Sequence, residues 1–268
     1  MDQQHNINQT TINYRLTGEG MPIVWLHGMM MNMTTDDQMK VIDFNALEQS
    51  LKLLRFEAPA HGQSTGTLNP TNYQWDKVGD IYHQMAIELL DQPYIAAGFS
   101  MGSAAALGTA IKHPDQVKAL ILAMPPVIWD DRPEQAKSYR KMALWANQGK
   151  LDRFLPMLLT STPSPVDFVE EKQSGCQKAV RTGMCGLQSD YYEPLLLGAS
   201  QSDYPSIEEI SKLKIPTLIL GWKGDPTHPI KSCEELQKAL PHAQVHIANS
   251  YEDYHANTSI VAQFLSCL

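Results

Sequence analysis

Positive charge is scarce in this sequence. Lysine and arginine together number 21 against 29 aspartates and glutamates, a formal net charge of −8. Phosphate backbones and anionic lipid surfaces are bound through clustered Lys and Arg, so this balance argues against both as partners. Long apolar runs are also missing. The longest, residues 119–129, is broken by Pro125-Pro126 and falls short of the roughly 18 residues that suggest a membrane span. The first ten residues hold no basic stretch followed by an apolar one, so no secretory leader is expected. Cysteine is sparse: Cys176, Cys185, Cys233 and Cys267 form no CxxC pair and no Cys/His ligand spacing. That pattern points to reduced thiols in a cytoplasmic protein, and nothing in it requires a Cys176–Cys185 bridge. No GxxxxGK[ST] phosphate loop, no GxGxxG turn after the first strand and no HExxH motif occurs. Neither a nucleotide cofactor nor a metal is therefore expected.

What is present is an alternation. Short, continuously apolar runs at residues 22–26, 93–97, 117–123 and 215–221 read as strands covered on both faces. Residues 51–56 and 244–248 add two more strands, and residues 7–17 read as an antiparallel pair ending at Gly18. Helical segments separate them at 42–50, 73–90, 103–113, 230–240 and 258–268. In the second of these, Val78, Ile81, Tyr82, Met85 and Leu89 share one face. Strands alternating with helices predict an α/β fold, a mostly parallel sheet with helices on both sides. One interval breaks the rhythm. Residues 129–213 contain amphipathic helical pieces, such as 137–148 and 166–176, but no convincing strand. The expected organisation is a core of residues 1–128 and 214–268 interrupted by a helical cap over 129–213.

Gly98-Phe99-Ser100-Met101-Gly102 stands where the strand at 93–97 meets the helix from Ser103. A hydroxyl on such a tight strand-to-helix turn is held in a strained conformation, and small residues two before and two after it avoid clashes. A serine hydroxyl is a weak nucleophile at neutral pH. It needs a base, an acid to orient that base, and donors for the oxyanion that forms. Asp225 directly follows the strand at 215–221, with Pro226 holding its loop extended. Asp130 and Asp131, after the preceding core strand, are the alternative acid. Nine histidines compete for the base.

Gly98 to Gly102, the upstream His27-Gly28 and the loop Ala60-His61-Gly62-Gln63-Ser64 together resemble the α/β-hydrolase superfamily. Within it the sequence is most similar to capped carboxylesterases, enol-lactonases and carbon–carbon bond hydrolases. Two residues depart from the pattern: Ser103 stands where many relatives have a second Gly after the elbow, and Ala60 where they often have Gly. The resemblance implies the chain order Ser, acid, His. It selects Ser100, Asp225 and His255, with His228 as the rival base, and makes His27 and His61 structural. It places the oxyanion donors at the backbone N–H groups of Met29 and Met101. Met30, within the run Met29, Met30, Met31 and Met33, is a candidate for lining an apolar acyl pocket and equally for filling the core. Arg140, Lys141 and Arg153 of the expected cap read as solvated charges. The expected activity is hydrolysis of a small or medium carboxylic ester, lactone or thioester through an acyl-enzyme. Carbon–carbon hydrolysis, a hydroxynitrile-type lyase and a non-catalytic binding protein are the alternatives. Ser100 itself argues against dehalogenases and epoxide hydrolases, whose elbow carries Asp.

Overall fold

The apolar runs become the strands of one twisted sheet. The computed structural model describes residues 2–150, 155 and 166–268. Strands β1 (Gln3–Ile7), β2 (Thr10–Thr17), β3 (Met21–Leu26), β4 (Leu51–Phe56), β5 (Tyr94–Phe99), β6 (Val117–Ala123), β7 (Thr217–Trp222) and β8 (Gln244–Ala248) are ordered β1-β2-β4-β3-β5-β6-β7-β8. β1 and β2 form an antiparallel hairpin and β2 pairs antiparallel with β4, whereas every pairing from β4 through β3 to β8 is parallel.

Side chains alternate across the sheet as a period of two requires. On β3, Val24 and Leu26 enter one apolar layer while Ile23 and Trp25 enter the other. On β7, Ile219 faces the first layer, and Leu218, Leu220 and Trp222 face the second. Both faces are thus buried, which is why the strands read as continuous apolar runs rather than as alternating ones.

The described helices are α1 (Met33–Met39), α2 (Trp75–Leu90), α3 (Met101–Lys112), α4 (Arg132–Asn147), α5 (Asp167–Glu170), α6 (Cys176–Cys185), α7 (Ser189–Ser200), α8 (Ile207–Ser211), α9 (Ile230–Ala239) and α10 (Tyr251–Ser266). Helices α2, α3 and α9 supply the first layer through residues such as Tyr82, Ala105 and Leu236. Helices α1, α6 and α10 supply the second through Met39, Val180 and Phe264. The helix expected at 42–50 is a 3-10 helix at Phe44–Ser50. No helix among the described residues is long and apolar enough to cross a membrane.

Between β6 and β7 the described residues contribute only helical elements and their connections. Here Tyr139 and Ala143 of α4 meet Tyr192, Leu195 and Leu196 of α7 in a third apolar cluster. That cluster also takes in Met30, Ala60 and Tyr73 from the loops above the sheet. The guanidinium of Arg132 ties the two helices together: it donates to Ala199 O and Ser202 O, each at 2.7 Å, at the carbonyl end of α7. A cation there complements the helix dipole. No disulfide joins Cys176, which is buried, to Cys185, which is exposed at the other end of α6.

Candidate active site

In open α/β sheets, chemistry gathers at the carboxyl ends of the strands. Six parallel strands, β3 to β8, end on that side, and the segments after β3, β4, β5, β7 and β8 carry the expected site residues. The one after β5 is the tightest. Ser100 adopts φ +52° and ψ −111°, a left-handed conformation that costs an L-residue roughly 1–2 kcal/mol. Its two glycines make the turn feasible. A Cβ on Gly98 would lie 2.4 Å from the carbonyl carbon of Gly102, and one on Gly102 would lie 1.9 Å from Leu26 O at the end of β3. The strain is offset by anchorage, since the Ser100 N–H donates to Ala123 O of β6 at 2.9 Å.

The loop after β7 supplies a carboxylate and an imidazole together. Asp225 Oδ1 accepts the N–H of Thr227 at 2.8 Å, a side-chain turn that Pro226 stiffens. This turn brings His228 back onto the acid. His228 Nδ1 lies 2.7 Å from Asp225 Oδ2, and His228 Nε2 lies 2.9 Å from Ser100 Oγ. The carboxylate can only accept, so Nδ1 carries the proton and the Nε2 lone pair faces the hydroxyl. The ring is enclosed by Phe99, 5.2 Å between centroids, and Trp222, 6.3 Å away, both edge-on. Trp222 Nε1 also donates to Asp225 Oδ2 at 3.1 Å. Burial alone raises the Asp225 pKa. The adjacent His228 and the donors on Thr227 and Trp222 outweigh it, leaving the carboxyl below its ordinary 3.8. This is the geometry by which an imidazole takes a hydroxyl proton while a carboxylate steadies the resulting cation.

His255 is elsewhere. The sequence places it between the last strand and the last helix, but α10 begins at Tyr251 and His255 lies in its second turn, exposed beside the ring of Tyr251. The physical reason is a helix cap. Ser250 Oγ accepts the N–H of Asp253, and Asp253 Oδ2 accepts the N–H of Asn249, which starts the helix two residues after β8. Ser250-x-x-Asp253 is itself a sequence signal for a helix start, and it would have moved His255 inside the helix. The same cap consumes Asp253. Of the alternative acids, Asp131 is exposed and pairs with Lys231 at 2.5 Å, and Asp130 is exposed beside it.

The loop after β3 rests on the elbow: a Cβ on Gly28 would meet the Phe99 ring at 2.7 Å. Residues 28–31 form a turn closed by Met31 N to Gly28 O at 3.1 Å, with Met30 at φ +60°. The N–H of Met30 is spent on His61 Nε2 at 2.9 Å, while His61 Nδ1 donates to Pro59 O at 2.9 Å. His27 repeats the pattern, donating from Nδ1 to Gly28 O and accepting the N–H of Ala58. A backbone N–H can only donate, so both rings are neutral and proton-bearing at Nδ1. Burial lowers both pKa values, that of His61 to about 4. Each of these rings has backbone on both sides; His228 has a hydroxyl and a carboxylate.

Met101, the other expected oxyanion donor, is the first residue of α3, so its N–H has no acceptor within the helix. Met30, expected in an acyl pocket, is instead packed at 2 % exposure among Ala60, Tyr73, Tyr139 and Leu195. Its turn directs the side chain into the third cluster, and Met29 stays half-buried beside it. Arg140 and Lys141 are exposed on α4, and Arg153 lies outside the described residues. Among the described residues no group of three or more His, Cys, Asp or Glu side chains is arranged to hold a metal ion.

Comparison with known proteins is consistent with this architecture. The chain is 25% identical over 261 residues to the AB hydrolase superfamily protein YisY of Bacillus subtilis (strain 168), covering 92% of each. It is 24% identical over 249 residues to the pimeloyl-[acyl-carrier protein] methyl ester esterase of Vibrio atlanticus (strain LGP32), covering 88% of this chain and 89% of the esterase. Its fold superposes on the enol-lactonase of Burkholderia xenovorans LB400 with a TM-score of 0.81 at 18% identity, over 98% of this chain and 100% of that one. Residues 21–255 match the family described as alpha/beta hydrolase fold, and the chain belongs to that family.

Proposed function

We propose that this protein is a serine hydrolase in which His228, rather than His255, is the base. The single observation that carries the reading is the imidazole of His228, 2.9 Å from Ser100 Oγ and 2.7 Å from Asp225 Oδ2. His228 removes the Ser100 proton as Oγ attacks an acyl carbonyl, and Asp225 holds the imidazolium. The N–H groups of Met29 and Met101 receive the oxyanion. His228 then protonates the leaving group, and in the second half it activates the water that releases the acid and regenerates Ser100.

The substrate is a small or medium carboxylic ester, lactone or thioester. The esterase and the enol-lactonase among the similar proteins support that class. The described helices between β6 and β7 form the cap. Partly buried Met29, Met142, Met184 and Tyr191 border its apolar cluster and favour an apolar acyl chain over a charged one.

A fluorophosphonate probe tests the reading, read together with turnover of p-nitrophenyl esters of increasing chain length. Labelling is expected at Ser100 and absent in Ser100→Ala, whose turnover drops by about 10⁶-fold. Ester turnover surviving in Ser100→Ala would overturn it.

A further inference from the structure

The carbonyl of Ser100 is gripped more firmly than a helix start requires. It accepts the N–H groups of Ser103 at 3.0 Å and Ala104 at 3.1 Å, and in addition the hydroxyl of Ser103 at 2.6 Å. Ser103 is completely buried, and its Oγ lies 2.5 Å from the hydroxyl of Tyr204. A carbonyl only accepts, so the single Ser103 proton goes to Ser100 O and Tyr204 must donate to Ser103. Burial pushes the Tyr204 phenol well above its ordinary pKa, which keeps that donor protonated.

Tyr204 comes from the helical interval between β6 and β7. Its N–H is held by Asp203 Oδ1 at 2.7 Å, and the two Asp203 oxygens also receive the N–H of Trp129, each at 3.1 Å. Its ring stands edge-on to Trp75, 6.4 Å between centroids. A chain of two hydroxyls therefore runs from this interval to the backbone of the elbow.

The peptide unit that ends in the Ser100 carbonyl begins the Met101 N–H. In a planar trans peptide the two point in opposite directions, so fixing one aims the other. Donors on the carbonyl also polarise the unit and make its N–H a better donor, by roughly 10–30% per bond. We propose that Ser103 and Tyr204 are positioning residues that aim and polarise the Met101 N–H toward the oxyanion, so that residues from 129–213 help to set the reaction rate. This rests on the reading of Ser100 as the nucleophile.

The experiment compares Tyr204→Phe, Ser103→Ala and the double variant, each checked for an unchanged melting temperature. For a p-nitrophenyl ester, Tyr204→Phe should lower kcat by about threefold and Ser103→Ala by about tenfold, fractions of the ~10²–10³ lost when an oxyanion donor is removed, with KM unchanged. Inhibition by a trifluoromethyl ketone, which forms a tetrahedral adduct, should weaken by the same factors. The double variant should match Ser103→Ala alone, because Tyr204 acts through Ser103. Retention of full kcat in both single variants, or losses that fall on KM, would overturn the inference. A wild-type protein that neither turns over esters nor labels at Ser100 would overturn the hydrolase reading and this inference with it.

Discussion

The two segments that leave β7 and β8 each carry a histidine close to a carboxylate, yet only one of those histidines meets Ser100. After β7, Asp225 folds the chain back through Thr227, and His228 ends 8% exposed between Phe99 and Trp222. After β8, Ser250 and Asp253 cap a helix at once, and His255 is carried round to its solvent side. Both carboxylates accept a backbone N–H. Asp253 Oδ2 takes the N–H of Asn249 at the helix start, while Asp225 Oδ2 takes the imidazole of His228 together with the indole N–H of Trp222. What separates the two neighbourhoods is that His228 has one ring nitrogen on Asp225 and the other on Ser100, whereas His255 lies exposed beside Tyr251 and Asp253 turns to the helix start, so proximity in sequence does not decide pairing.

The sharpest way to break this comparison is to exchange the fates of the two rings. His228→Ala should cut kcat/KM by about 10⁴–10⁶, the loss seen when the base of such a unit is removed. Asp225→Asn comes next: the amide presents a donor to Nδ1, the tautomer is wrong, and kcat should fall by about 10⁴ while substrate binding persists. Steady-state kinetics with one p-nitrophenyl ester measures both.

A smaller effect concerns stability. The buried His61 titrates at about 4 instead of 6.5. Between those values the unfolded chain binds a proton that the folded one refuses, so stability falls as pH drops from 6.5 to 4, by an order of 3 kcal/mol at full loss. His61→Gln retains a donor and an acceptor but does not titrate, and urea unfolding across this range should show a shallower decline. His255→Ala should be the mildest change, within about twofold of wild-type activity, as for exposed surface sites. A large loss there would collapse the distinction drawn between the two loops.

The elbow was legible because its constraints are local. Gly98, Ser100 and Gly102 answer to one turn and to the Leu26 carbonyl beside it, and a five-residue window holds most of that information. The central strands β3 to β7 were legible for a similar reason, being buried on both faces over most of their length. The imidazole that meets Ser100 was not, because it depends on where α10 starts and on which ring reaches a hydroxyl 128 positions away. Which of its two readings Met30 follows was not legible, because a φ of +60° turns it into a cluster assembled from α4 and α7. Ser103 looked like a packing departure, and only its contact with Tyr204, distant in sequence, reveals a hydrogen-bonded chain.

Asp225 and His228 share one short turn, with Pro226 between them and Pro229 directly after His228. In mechanical terms, an alignment of three bodies is reduced to two. Displacement of the turn moves Asp225 and His228 together, so their 2.7 Å contact spans only three residues of chain. Only the 2.9 Å gap to Ser100 then depends on how the sheet's neighbouring strands are packed. Heating should therefore loosen that gap first, leaving Asp225 and His228 paired while Ser100 drifts out of reach.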